Sequence, residues 1–333
     1  MKRTLPVCCA AHFGVDFACA FLLFCALRGE VRWAELLLLY NFCAFAVQMP
    51  LGVLADRWKR DGTVAAAGAL LVAAAYLVPG VPALAVLLAG LGNAAFHVGG
   101  GLAVLEQTCD RAGPLGLFVS PGALGLFLGT CLGKGGTVPL FLPPLLLLAL
   151  ALLLRHLPNT VRTAREVPPR SHGLEQVMLP LALLLSVVVL RSWVGMSLTF
   201  PWKGTGHWAL CLTVSLALGK AAGGVLADRF DPVRTAAVSL TLSAALLLGS
   251  RWPVCSVLAV FLFNMTMPLT LWACAKLLPG NRGFAFGLLT FGLFLGFLPT
   301  AFGAPGLSGG TAAGLALVSL LLLWPGLRRA VGK

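Results

Sequence analysis

Two residues in the first apolar stretch of this chain could do acid–base chemistry. His12 and Asp16 stand four residues apart in a run that is otherwise hydrophobic. In a helix that spacing puts both side chains on one face. A carboxylate held beside an imidazole in a dry setting can take up and release a proton, and the imidazole, which titrates near neutral pH, can relay it. The bland alternative is a hydrogen bond that only fixes one helix on another. His97, one turn after Asn93 in a later apolar run, is a third candidate for the proton path, set against a packing histidine. Two cations, Arg191 and Lys220, also fall inside apolar runs, both in the C-terminal half. A buried cation needs an anionic partner, and Asp16 is the one acid expected at mid-depth. A phosphate, phosphonate or carboxylate on a substrate could balance the remaining charge. The alternative is that Arg191 and Lys220 snorkel toward water. Asn41, Gln48, Asn93 and Asn264 are the neutral side chains that could add substrate contacts.

Such groups need a scaffold that holds them out of water. Hydrophobic residues make up 59% of the 333 and charged residues 11%, whereas a soluble domain has about a quarter of its residues charged. The chain therefore reads as an all-α membrane protein. A spanning helix needs about 20 apolar residues, and twelve segments qualify: 5–27, 34–56, 63–80, 83–106, 114–133, 137–155, 176–199, 206–227, 234–250, 253–276, 283–303 and 308–327. No cleavable signal is expected, because the run after Met1-Lys2-Arg3 carries His12 and Asp16 and no small-residue cleavage site. Of the 24 Lys and Arg, seventeen fall on the side of the N-terminus, five on the other (Arg28, Arg32, Lys134, Lys203, Arg251) and two within helices. Loops rich in Lys and Arg stay cytoplasmic, so both termini are expected inside, in the cell membrane. The net charge of +13 is scattered singly through short loops, which argues against a nucleic-acid partner.

Residues 52–57 read Gly-Val-Leu-Ala-Asp-Arg, and residues 224–229 repeat that hexapeptide. Each copy ends an apolar run and is followed by basic residues. A same-sense repeat with an even helix count predicts two six-helix bundles, 1–155 and 176–333, joined by the polar stretch 156–175 as a cytoplasmic linker. Ten cysteines are present, mostly inside apolar runs and without metal-ligand spacing. No metal and no cofactor is expected, and no nucleotide loop, His-rich box or Gly-x-Ser-x-Gly elbow points to an enzyme.

The repeated turn resembles the Gly-x-x-x-Asp-Arg-x-Gly-Arg-Arg loop of the major facilitator superfamily, with Lys59 and Asp231 standing at the second glycine. That resemblance implies twelve transmembrane helices in two pseudo-symmetric halves, working by alternating access as a monomer. It also implies that Gly52, Asp56, Arg57, Arg60, Gly224, Asp228 and Arg229 form a conformational gate, in which the acids meet basic residues and helix N-termini and stabilise one state. The fifth segment is similar to the antiporter pattern Gly-x8-Gly-x3-Gly-Pro-x2-Gly-Gly: Gly116, Gly125, Gly129 and Gly133 keep the spacing, and Thr130 and Lys134 replace the proline and last glycine. Read without the family, Gly125, Gly129 and Gly133 are helix-packing positions. His12-Phe-Gly-Val-Asp16, Gln48-Met-Pro-Leu-Gly52 and Ala95-Phe-His-Val-Gly-Gly100 together resemble the fosmidomycin-resistance group of drug exporters, with Val98 and Gly99 in place of that group's Pro-Glu.

The combined expectation is a proton-coupled exporter of a small organic solute, anionic on one reading of Arg191 and Lys220, with small-molecule substrate, protons and the bilayer as its partners. A proton symporter importing an anionic nutrient is the alternative, and a lipid flippase a more distant one.

Overall fold

The structure, a computed structural model, describes residues 3–108, 111–136, 138–157 and 174–332. The expected linker falls almost wholly on residues outside these. Everything described is helix or short connection apart from one isolated bridge pairing Leu198 with Leu307. The helices are α1 (Thr4–Leu27), α2 (Trp33–Trp58), α3 (Asp61–Ala75), α4 (Pro82–Gln107), α5 (Gly113–Gly135) and α6 (Leu142–Arg155). They continue as α7 (Leu174–Ser197), α8 (Trp208–Arg229), α9 (Pro232–Leu248), α10 (Pro253–Leu277), α11 (Arg282–Ala301) and α12 (Gly309–Val331). Among the described residues nine are long and apolar enough to cross a bilayer, and α3, α6 and α9 are shorter apolar helices. An all-helical plan follows from the solvent: in hydrocarbon each backbone N–H must find its partner inside the segment. The chain is a multi-pass membrane protein.

Three helices are interrupted beside a proline. Pro50 and Pro268 cannot donate to the carbonyl four residues back, and the α-helical ladder is disturbed just before each, at 42–46 in α2 and at Met265 in α10. Pro121 divides α5 after Ser120, whose hydroxyl turns back to donate to Gly116 O at 2.6 Å. The third helix is shorter than expected. It ends at Ala75 because residues 76–81 form successive turns ahead of Pro82.

The described residues fall into two compact units. The first takes in Met1–Gln107, Pro121–Arg162 and Asn281–Phe291 and the second Thr108–Ser120, Thr163–Gly280 and Gly292–Lys333. The first turns of α5 and α11 are thus exchanged relative to a plain division at 156–175. Within the first unit α5 lies directly on α1. A Cβ at Gly125, Gly129 or Gly133 would press on the carbonyls of Phe13, Phe17 and Phe21 in turn, so these three glycines are where the two backbones approach. The first turns of α11 pack on α2 in the same way, with Gly283 against Gly52 and Gly287 against Gln48.

Candidate functional site

α1 and α4 bring His12, Asp16, Asn93 and His97 together inside the first unit. His12 is 5% exposed, and its Nε2 lies 3.3 Å from Asp16 Oδ2, as the four-residue spacing requires. His97 comes from 85 residues further on, and its Nε2 sits 2.9 Å from His12 Nε2 and 3.7 Å from Asp16 Oδ1. The two imidazoles meet edge to face, with centroids 4.5 Å apart at 86°. Asn93 supports both partners. Its side-chain amide donates to Asp16 Oδ1 at 3.1 Å, and its backbone carbonyl lies 2.9 Å from His97 Nδ1. A carbonyl can only accept, so His97 Nδ1 carries a hydrogen. In the neutral ring Nε2 then presents its lone pair to the cluster.

α5 covers the cluster. Gly122 stands just after the Pro121 break, and a Cβ there would overlap both His12 Nε2 and Asp16 Oδ2. The side chains of His12, Asp16 and His97 keep 7%, 20% and 13% of their exposure, so the carboxylate remains reachable while the imidazole behind it is enclosed. A carboxylate touching two imidazoles can hold one proton at any of three nearby positions and pass it between them.

The expected substrate contacts are more dispersed. Asn41 and Gln48 each donate to the carbonyl four residues back, Leu37 O at 2.8 Å and Ala44 O at 2.5 Å, and Asn264 does the same to Val260 O at 2.9 Å. Gln48 is fully buried, and its Oε1 is without a hydrogen-bond partner among the described residues. In the second unit Arg191 is buried at 8% exposure, and its guanidinium donates to Thr270 Oγ1 at 3.2 Å. No described carboxylate lies within ion-pair distance of it. Lys220 donates to Val119 O at 3.2 Å, at the interruption of α5.

The two copies of the repeat do the same local job. Asp56 accepts from Gly283 N at 2.8 Å and Phe284 N at 2.9 Å, which caps the start of α11. Asp228 accepts from Ala112 N at 2.7 Å and Gly113 N at 2.9 Å, which caps the start of α5. Free N–H groups and the positive end of the helix dipole favour a carboxylate at such a place. Gly52 and Gly224 are one turn earlier, and a Cβ on either would overlap the carbonyl of Gly283 or Ala112.

Comparison with solved structures bears on this arrangement. The E. coli fucose:proton symporter FucP superposes in two structures with TM-scores of 0.64 and 0.65, at 15% identity over 98% of both chains. The human organic anion transporter MFSD10 superposes with a TM-score of 0.60, at 18% identity over 97% of this chain and 99% of that one. This chain has the major facilitator fold. No protein-family model matches the sequence, and no curated protein matches it either.

Within that fold the basic residues of the repeat sit apart from its acids. Arg57, Arg60 and Arg229 are exposed, and the Arg229 guanidinium lies 5.6 Å from the Phe230 ring. The cation that reaches Asp228 is Arg111, from just ahead of α5, at 3.3 Å. At the second glycine of the loop pattern Lys59 adopts a left-handed backbone, φ 53° and ψ 34°, which is the conformation glycine takes at little cost. The second copy avoids that demand. Asp231 is extended there and caps α9, accepting from Val233 N at 2.8 Å and Arg234 N at 3.0 Å.

One pair had no signal in the sequence. Arg282 and Glu106 are 176 residues apart and form a 2.8 Å ion pair, 18% and 8% exposed. Capping of α11 by Asp56 fixes where that helix starts, and this carries Arg282 onto the end of α4.

Proposed function

We propose that the chain is a proton-coupled secondary transporter of a small organic anion, working by alternating access between two six-helix halves, 1–155 and 176–333. The observation that carries this is the His12–Asp16–His97 cluster, a carboxylate shared by two imidazoles within a membrane-embedded bundle. A fold shared with a fucose:proton symporter and an organic anion transporter supports it. Arg191, buried with a hydroxyl as its partner, is the side chain suited to an anionic substrate group, with Lys220, Asn41, Gln48, Asn93 and Asn264 as further polar contacts. Asp56 and Asp228 act as latches. A contact present in one conformation and absent in the other biases the equilibrium by its own free energy. We place the protein in the cell membrane as a monomer with both termini cytoplasmic.

Export by antiport is the favoured direction, on the glycine spacing of α5 and the resemblance to the drug-exporter group. Symport is the second reading, favoured by the likeness to FucP. The test has two stages. Cells expressing wild type or Asp16→Asn are screened for altered susceptibility to, and uptake of, a panel of organic anions. A wild-type phenotype lost in Asp16→Asn at equal expression is expected, and an unchanged phenotype removes Asp16 from the mechanism. The responsive compound is then added outside proteoliposomes. Acidification of the outer medium fits antiport, whereas alkalinisation overturns it in favour of symport.

A further inference from the structure

We propose that His12, Asp16 and His97 form a binding site for one divalent transition-metal ion of the Zn2+ class. The expectation of no metal rested on ligand spacing along the chain, and these ligands come from two helices. Their donor atoms cluster within 4.8 Å of one another: His12 Nε2 lies 2.9 Å from His97 Nε2, and Asp16 turns a different oxygen to each ring, Oδ2 at 3.3 Å from His12 Nε2 and Oδ1 at 3.7 Å from His97 Nε2. Tetrahedral zinc binds nitrogen and oxygen at about 2.0–2.2 Å, which sets donor–donor edges of about 3.3–3.6 Å. The observed separations lie around that range, with each imidazole facing its own carboxylate oxygen.

Three further features suit a metal better than a plain hydrogen-bonded cluster. The contact between His97 Nδ1 and Asn93 O leaves Nε2 as the ligating nitrogen, and Asn93 also orients Asp16 through a 3.1 Å bond. Outer partners of this kind, a carbonyl behind the histidine and a donor behind the carboxylate, fix ligand geometry in metal sites. Gly122, without a side chain, lets the α5 backbone close over His12 and Asp16, where a Cβ would overlap both donor atoms. The partial exposure of Asp16 and His97, 20% and 13%, leaves a way in. Two imidazoles and one carboxylate favour Zn2+, Co2+ or Ni2+ over Mg2+ and Ca2+, which prefer all-oxygen shells. The inference shares its side chains with the proposed proton site, so ion and proton compete there, yet binding does not require transport.

The test uses the purified full-length chain in detergent, with Zn2+ titrated calorimetrically and Co2+ followed by its visible spectrum. One Zn2+ per chain is expected, with the intense absorption of a low-symmetry nitrogen–oxygen site on adding Co2+, and no displacement by excess Mg2+. His12→Ala and His97→Ala should each weaken Zn2+ by at least about tenfold, as should Asn93→Ala through lost support. His97→Gln keeps a polar side chain and, if monodisperse on size exclusion, separates loss of a ligand from loss of fold. Zn2+ affinity unchanged in a folded His12→Ala/His97→Gln double variant would place the ion elsewhere, for instance on a free cysteine, and overturn the proposal. So would a wild type that binds none. If wild type binds no Zn2+ but Asp16→Asn abolishes transport, the metal site falls and the proton reading stands. If wild type binds Zn2+ and Asp16→Asn transports normally, the reverse holds.

Discussion

The two units use the same device at their helix starts and different chemistry in their interiors. In each, the aspartate of the repeated hexapeptide caps a helix N-terminus with two backbone N–H bonds, and a glycine one turn before it admits the backbone it caps. The polar side chains of the two interiors differ. The first unit holds a carboxylate in contact with two imidazoles, whereas the second holds a guanidinium against a hydroxyl and an ammonium against a carbonyl. The repeated hexapeptide holds helix starts in place in both units, and the polar groups of the two interiors differ. Capping depends on backbone geometry, which both copies share, and interior chemistry depends on side chains that packing does not dictate.

Four outcomes would break or sharpen that contrast. The largest concerns the first interior. Asp16→Asn should lower proton-coupled flux by about a hundredfold or more, since a general acid–base group contributes roughly 10²–10⁴-fold, while equilibrium exchange of substrate survives. A flux within twofold of wild type would remove the asymmetry. In the second interior, Arg191→Met should raise the KM for an anionic substrate by about ten- to a hundredfold, as expected from losing a charge-assisted contact worth about 1.5–3 kcal/mol. The same variant should melt no lower than wild type, because Arg191 has no carboxylate partner among the described residues, and replacing a buried ionic group with an apolar side chain is often neutral or stabilising. A marked fall in melting temperature would mean that Arg191 is structural. Asp56→Ala and Asp228→Ala should each destabilise their capped helix by about 0.5–2 kcal/mol, read as a drop in melting temperature or a shift in conformer populations by site-directed labelling. Near-equal effects are expected, and a severalfold difference would show that the two caps are not equivalent. The smallest effect separates the two turns. Lys59→Gly should stabilise by up to about 1 kcal/mol, since the left-handed backbone is strained for a side-chain residue and free for glycine. At the extended Asp231 the same change to glycine should destabilise by loss of the cap.

The interior pairing within α1 was legible in the chain, and most of the rest of the site was not. His12 and Asp16 are four residues apart, so the helical repeat alone makes them neighbours. His97 and Asn93 could be marked as polar residues in an apolar run, but their meeting with Asp16 depends on α1 and α4 packing together, which no local pattern encodes. The Glu106–Arg282 pair was out of reach of the sequence for the same reason. Each reads as a helix-end charge until the cap on α11 fixes the register. The glycines of α5 were identified by spacing, and the structure adds what they lie against, the carbonyls of Phe13, Phe17 and Phe21.

By itself the sequence determined that this is a helical membrane protein, where most of its helices run, and that one turn occurs twice. Composition decides the solvent, and an apolar solvent leaves helices as the simplest way to satisfy the backbone. Only the tertiary structure decided which helix starts the two repeated aspartates cap. It also decided that a third titratable group joins the first two, and that a glycine lets α5 pass close over them. Those facts depend on helix register and on approach distances of a few ångströms, which are set by side chains packing across the fold and not by the order of residues along any one segment.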